Sequence, residues 1–222
     1  MTRAVLFDTE TTGLDPMTGD RVIEVACIEL EGDMPTARSF HRLINPERDV
    51  PEDAVRVHGI TADRLRDAPL FEEIADDLLT FLGDGPLIAH NATFDFAFLD
   101  AELTRIGRPP LDRARMVDTL AIARAHYPGL PNSLDALCRR FDIDLSARTT
   151  HNALLDCRLL AEVYVELTGG RQRGLDLAAA SIARNTFNHD AAKTRTPRLI
   201  EPSAEELAAH AAFIAKLKNP LW

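Results

Sequence analysis

The chain is short of cysteine, short of positive charge, and has no long apolar run. Its three cysteines, Cys27, Cys138 and Cys157, are odd in number and widely spaced. That excludes a disulfide framework or a zinc cluster and predicts reduced, buried thiols in a cytoplasmic protein. No uninterrupted apolar stretch approaches the ~20 residues needed to span a bilayer, so no membrane association is expected. Met1-Thr2-Arg3 leads straight into an apolar run, and no signal-peptide pattern is expected there. Lysine and arginine number 25 against 35 aspartates and glutamates, a net charge of −10. A protein that holds nucleic acid unaided carries a basic face, because neutralising phosphates supplies much of the affinity. This chain lacks that balance, so any action on nucleic acid needs metal ions locally or a basic partner.

What remains is ordinary globular material. At 222 residues and 45% apolar content, the chain can form one sizeable core plus a tail. Ala4-Val5-Leu6-Phe7 reads as a buried strand, 21–30 as a second and 39–44 as a third, with Asn45-Pro46 as its stop. Leu70, Ile74, Leu78 and Phe81 recur at helical spacing up to Gly83. Leu87-Ile88-Ala89 is a short strand, and Phe94, Ala97, Phe98 and Ala101 mark the helix after it. Val117 to His126 reads as a helix, Asn132-Ser133 caps another, and a strong helix runs from about Ala153 to Leu167, stopped by Gly169-Gly170. Early strands followed by alternating helices argue for a mixed α/β sheet with helices on its faces. After Gly170 the large apolar residues thin out. Residues 184–202 read as a flexible linker, and Ser203-Ala204-Glu205-Glu206 fits a capping box opening a short helix that ends near Trp222.

The chemistry begins at the tip of the first strand. Asp8 and Glu10 are two apart, so they project from the same face. Burying two carboxylates together is costly unless a cation neutralises them. Asp95 falls in the first turn of a helix leaving a strand. From Asp156, positions three, four, seven and eight further on are Leu159, Leu160, Val163 and Tyr164, which puts this aspartate on an inward helix face. His151 lies about 140° from it around an ideal helix, so it belongs to the loop at the helix start. Each residue has a bland explanation alone: a capped strand end, a carboxylate offsetting a helix dipole, an aspartate paired with arginine, a surface histidine. Together they form one oxygen-rich set suited to Mg²⁺ or Mn²⁺. Two such ions ~4 Å apart can clamp the attacking and leaving oxygens of a phosphoryl displacement, and a histidine can take the proton of the attacking water.

Asp8-Thr9-Glu10-Thr11-Thr12-Gly13-Leu14, His90-Asn91 with Phe94-Asp95, and His151 with Asp156 resemble the three motifs of the DEDDh 3′–5′ exonuclease superfamily. The resemblance continues through Val57-His58-Gly59-Ile60, Asn132 to Cys138 and Ala153 to Gly170. At that extent it is to the proofreading exonucleases of bacterial replicative polymerases.

The resemblance implies a ribonuclease-H-like mixed sheet flanked by helices, with a flexible C-terminal tail carrying a short helix. Asp8 would bridge two metals, Glu10 and Asp156 would complete the tighter site, Asp95 would hold the second, and His151 would be the general base. Leu14 matches a residue that wedges against the terminal base, and His58 a substrate-contacting histidine. Asp53 stands where the family carries glutamate, and Asn91 and Phe94 would shape the pocket, with core packing as the alternative for Phe94. Gln172, Leu175 and Leu177 resemble a sliding-clamp docking peptide. The tail to Trp222 would bind the polymerase catalytic subunit. The implied organisation is an exonuclease domain over 1–171, a clamp-binding peptide and short helix over 172–183, the linker 184–202 and a docking helix over 203–222. The expected substrate is a DNA 3′ end, in a bacterial, nucleoid-associated replisome. A stand-alone ribonuclease trimming RNA 3′ ends is the competing expectation. A degenerate, non-enzymatic adaptor fits less well, because all five site residues are present.

Overall fold

The structure, a computed structural model, describes residues 3–148, 150–169 and 201–217. They belong to two separate units, one ending near residue 175 and the other holding the tail helix. In the first, strands β1 (Arg3–Thr11), β2 (Val22–Glu31), β3 (Met34–Leu43), β4 (Leu87–Ala89) and β5 (Met116–Asp118) form one sheet in the order β3-β2-β1-β4-β5. The β1–β2 and β2–β3 pairs are antiparallel, whereas β1–β4 and β4–β5 are parallel. Seven α-helices accompany the sheet among the described residues of this unit: α1 (Glu52–His58), α2 (Ala62–Leu65), α3 (Phe71–Leu82), α4 (Ala92–Arg105), α5 (Thr119–His126), α6 (Leu134–Arg140) and α7 (Ala153–Leu167).

Alternation along β1 sorts the core into two layers. Val5 and Phe7 enter one cluster with residues of α3 and α4, including Leu78, Phe96 and Leu99. Ala4 and Leu6 enter the other with residues of α6 and α7, including Leu137, Leu160 and Val163. β2 is buried along nearly its whole length, as a strand covered on both faces must be.

Three expectations need correction. The helix expected from Val117 starts only at Thr119, because Met116–Asp118 pair with β4 as a fifth strand. Three residues are too few to show a period of two. β3 begins at Met34, earlier than expected, since its first half, Met34–Arg38, is mostly exposed and carries Pro35, so it shows no buried alternation. In α4 the buried apolar positions include Ala92, Phe96, Leu99 and Leu103, while Phe94 and Ala97 are half-buried. The short helices α1 and α2 were not expected, being too brief for helical periodicity to appear.

In the other unit, helix α8 (Ala204–Ile214) carries the capping box. Glu206 N–H donates to Ser203 Oγ, and the Ser203 backbone N–H donates to Glu206 Oε2. Gln172, Leu175, Leu177, Trp222, the 172–183 segment and all of 184–202 except residues 201 and 202 lie outside the described residues.

Candidate active site

The site forms where the parallel strands end. β1 runs beyond its pairing with β4, which covers only Val5 and Leu6, so Asp8 and Glu10 lie past the end of β4 while still paired with β2 on the other side. Their even positions share the face of Ala4 and Leu6, the face covered by α7. The odd residue between them faces α4. The backbone N–H of Thr9 donates to Asp95 Oδ1 at 3.0 Å and its hydroxyl donates to the same oxygen at 2.8 Å. One strand therefore anchors the α4 carboxylate on one side and presents two carboxylates to α7 on the other. Asn91, in the left-handed region at φ 68°, turns the chain from β4 into α4. Its N–H donates to Asp118 Oδ1 at 3.0 Å.

Asp8, Glu10, Asp95, His151 and Asp156 line one cavity of about 360 Å³. Ligand atoms of Glu10, His151 and Asp156 lie within 4.8 Å of one another. Burial first, then the neighbouring carboxylates Asp95, Glu10 and Asp156, holds the Asp8 carboxyl well above the usual range. Burial, followed by Asp156 and Glu24, pushes Glu10 up to about 8. Burial raises Asp95 to about 7 against the hydrogen bonds from Thr9. Three strained carboxylates around one space, all hard oxygen donors, fit divalent cations such as Mg²⁺ or Mn²⁺. Asp156 behaves oppositely. Burial would raise it, but hydrogen bonds from Arg148, then His151, hold it below the ordinary carboxylate range.

α7 is fixed by a buried glutamate. Glu24, fully buried on β2, accepts hydrogen bonds from Asn152 Nδ2 at 3.2 Å and from the Ala153 N–H at 3.0 Å, and lies 2.7 Å from His41 Nε2. Asn152 also caps the helix through Leu155 N–H at 3.0 Å. Glu24→Gln puts an amide donor against these donors. It is expected to destabilise the fold by about 1–3 kcal/mol, seen as a lower urea midpoint with an unchanged slope.

Of the remaining expected residues, Phe94 lines the cavity, whereas Leu14, Asp53, His58 and Asn91 do not. Leu14 is 85% exposed. It follows Gly13, where a Cβ would come within 2.2 Å of the Asp20 carboxylate. His58 is buried. Its Nδ1 accepts from Ile60 N–H at 3.0 Å, its Nε2 has no hydrogen-bond partner among the described residues, and burial lowers its pKa. Asp53 is exposed on α1 and pairs with Arg56. Asn91 is exposed at the mouth of α4.

Arg148, Asp135, Thr9 and Ser133 also line the cavity, as does His90, whose Nδ1 lies 2.9 Å from Thr119 Oγ1. Sequence reasoning assigned none of these a role. Only for Arg148 was there a usable signal: an arginine three residues before the expected base, and an inward aspartate in need of a partner.

The exonuclease family model, RNase_T, matches residues 5–164. A protein of Rickettsia felis named DNA polymerase III subunit epsilon is 46% identical over 221 residues, covering 97% of this chain and 96% of its own length. The structure of exonuclease X in complex with 5′ overhanging duplex DNA superposes with a TM-score of 0.60 at 24% identity, covering 75% of this chain and 91% of that one. The nuclease domain of 3′hExo, described as a DEDDh family member bound to rAMP, gives a TM-score of 0.63 at 18% identity, with 75% and 92% covered. Fold, family and relatives define the class: the chain is a 3′–5′ exonuclease. Within that class it belongs to the DNA polymerase III epsilon-subunit family.

Proposed function

We propose that this exonuclease removes mispaired 3′-terminal nucleotides from a DNA primer as 5′-monophosphates. The observation that carries the reading is the convergence of Asp8, Glu10, Asp95, Asp156 and His151 on one cavity. Two divalent cations, Mg²⁺ or Mn²⁺, held by the four carboxylates would supply charge at the phosphate and acidify a bound water. His151, half-exposed beside Asp156, takes the proton of the attacking water. Thr9 keeps Asp95 aimed at the cavity through two hydrogen bonds, and Glu24 keeps α7 seated so that Asp156 and His151 face β1. Leu14 stands free to wedge against the last base, while His58, Asn91 and Asp53 contact the substrate strand. Selectivity for a mismatch needs no base reading, since a frayed end costs less to unpair and reaches the cavity more often.

The test is digestion of matched and mismatched primer–templates and of single-stranded RNA with Mg²⁺ or Mn²⁺. Mismatched ends should disappear faster than matched ones. A strong preference for RNA would replace this reading with RNA 3′-end trimming.

The partners follow from the charge. A chain at −10 gains its substrate by tethering, which raises local concentration without new DNA contacts. The Gln172–Leu177 peptide docks on a sliding clamp, and the 203–222 tail, with Trp222 at its end, docks on the polymerase catalytic subunit. α8 buries none of its side chains, as suits a helix that packs on another protein. Changing Gln172 and Leu177 to alanine should weaken co-elution with a clamp at least tenfold (order of magnitude), and unchanged co-elution would remove the clamp contact. Work at a replisome on the nucleoid places the protein in the cytoplasm. No described helix is long and apolar enough to cross a membrane.

A further inference from the structure

Arg148 sits inside the carboxylate cage, a surprising place for a cation in a site built to bind cations. Its guanidinium is a fork of donors with no acceptor, and each arm is committed. Nε donates to Asp156 Oδ1 at 2.6 Å and Nη2 to Asp156 Oδ2 at 2.7 Å. Nη1 donates to Asp135 Oδ1 at 2.6 Å. Nη2 also lies 3.0 Å from His151 Nδ1. The side chain is 9% exposed. Arginine thus holds both oxygens of one of the four carboxylates and touches the histidine. Asp156 and His151 are two of the three groups whose ligand atoms converge with Glu10.

We propose that Arg148 is a positioning residue of the exonuclease: it is the resident counter-cation of the unloaded cage and competes with a divalent ion for Asp156. The inference rests on the reading that these carboxylates hold metal. A bidentate guanidinium suits a carboxylate in shape as well as charge. It keeps Asp156 and His151 in place while the other carboxylates repel one another. When a divalent ion arrives, the fork gives up Asp156 and keeps Asp135, its anchor on the outer side of the cavity. Exchange of one cation for another keeps the cage from standing bare at any stage. It also lowers metal affinity, because a positive charge must leave or stay close by.

The sign of the effect separates this role from plain scaffolding. Mn²⁺ binding to the full chain without DNA is measured at pH ~8 by electron paramagnetic resonance for wild type, Arg148→Gln and Arg148→Ala. Both variants should bind Mn²⁺ at least about tenfold more tightly than wild type, while their metal-free melting temperatures fall. A residue that only braced Asp156 would give weaker binding when removed, so weaker or unchanged affinity overturns the proposal. A wild type that binds no Mn²⁺ overturns the metal reading itself, which is a different result. A second measurement needs no variant to fold well. In the ¹⁵N-labelled wild type, the slowly exchanging Nε–H resonance of Arg148 should shift and lose protection as Mg²⁺ is added. A resonance unmoved at saturating Mg²⁺ overturns the exchange.

Discussion

Asp8→Asn is expected to abolish cleavage and, in the metal-free protein, to raise the melting temperature. The two effects have one cause. Asp8 lies among Asp95, Glu10 and Asp156, and burial plus their charges hold its carboxyl well above its ordinary range. Removing its charge relieves repulsion that only a bound cation would offset. We expect a loss of at least about 10³-fold in activity, since several kcal/mol of charge stabilisation at the phosphate goes with the ligand. We expect a gain of roughly 2–4 °C or more in melting temperature without metal. An asparagine variant that cleaves normally, or melts lower without metal, would show that Asp8 serves packing.

The same repulsion sets a pH dependence. Carboxyls whose folded pKa is raised bind protons more tightly folded than unfolded. Their contribution to stability is complete below the ordinary carboxylate range and is lost as pH rises through the folded values. Those values are about 7 for Asp95 and about 8 for Glu10. The metal-free melting temperature should therefore fall between ~pH 5 and ~pH 8.5. The slope should flatten with saturating Mg²⁺ and be shallower in Asp8→Asn. A melting temperature indifferent to pH across that window would rule out the repulsive cage.

His151→Ala is the second large effect, and it should act on rate alone. General-base catalysis contributes about 10²- to 10⁴-fold, and the loss should fall in that range. His151 precedes the α7 cap and stands half-exposed, held through its backbone N–H to Val57 O at 3.1 Å. That bond survives the substitution, so the melting temperature should stay within about 2 °C of wild type. A loss below about tenfold would assign the proton to another acceptor.

Much of the site could be read from spacing alone. Asp8 and Glu10 share a face because strand side chains alternate, and the structure turns that face toward α7. Asp156 lies inward because its neighbours one and two turns on are apolar, and α7 spans Ala153–Leu167 as its stripe implies. The unreadable parts depend on contacts distant in sequence. Glu24 looks like one charge inside an apolar strand, yet it seats a helix start 129 residues later. Arg148 sits in a polar loop with no periodicity, and only folding brings its fork onto Asp156. β5 is short, and its identity comes from the β4 edge it pairs with. For Leu14, His58 and Asp53, sequence offered a resemblance without a geometry, and the structure sets them outside the cavity wall.

The distance along the chain between Asp8 and Asp156 has a consequence for the protein's birth. Three of the four carboxylates belong to the first half of the polypeptide, and the fourth arrives with α7, the last helix of the sheet-containing unit among the described residues. At about 5–20 residues per second, a ribosome needs on the order of ten seconds or more to pass from one to the other. A nascent or truncated chain ending before His151 has neither that histidine nor Asp156, and Glu24 has no helix to seat. The enzyme is therefore born latent. On the proposed mechanism it becomes able to cleave only once Asp156 and His151 have joined the three earlier carboxylates.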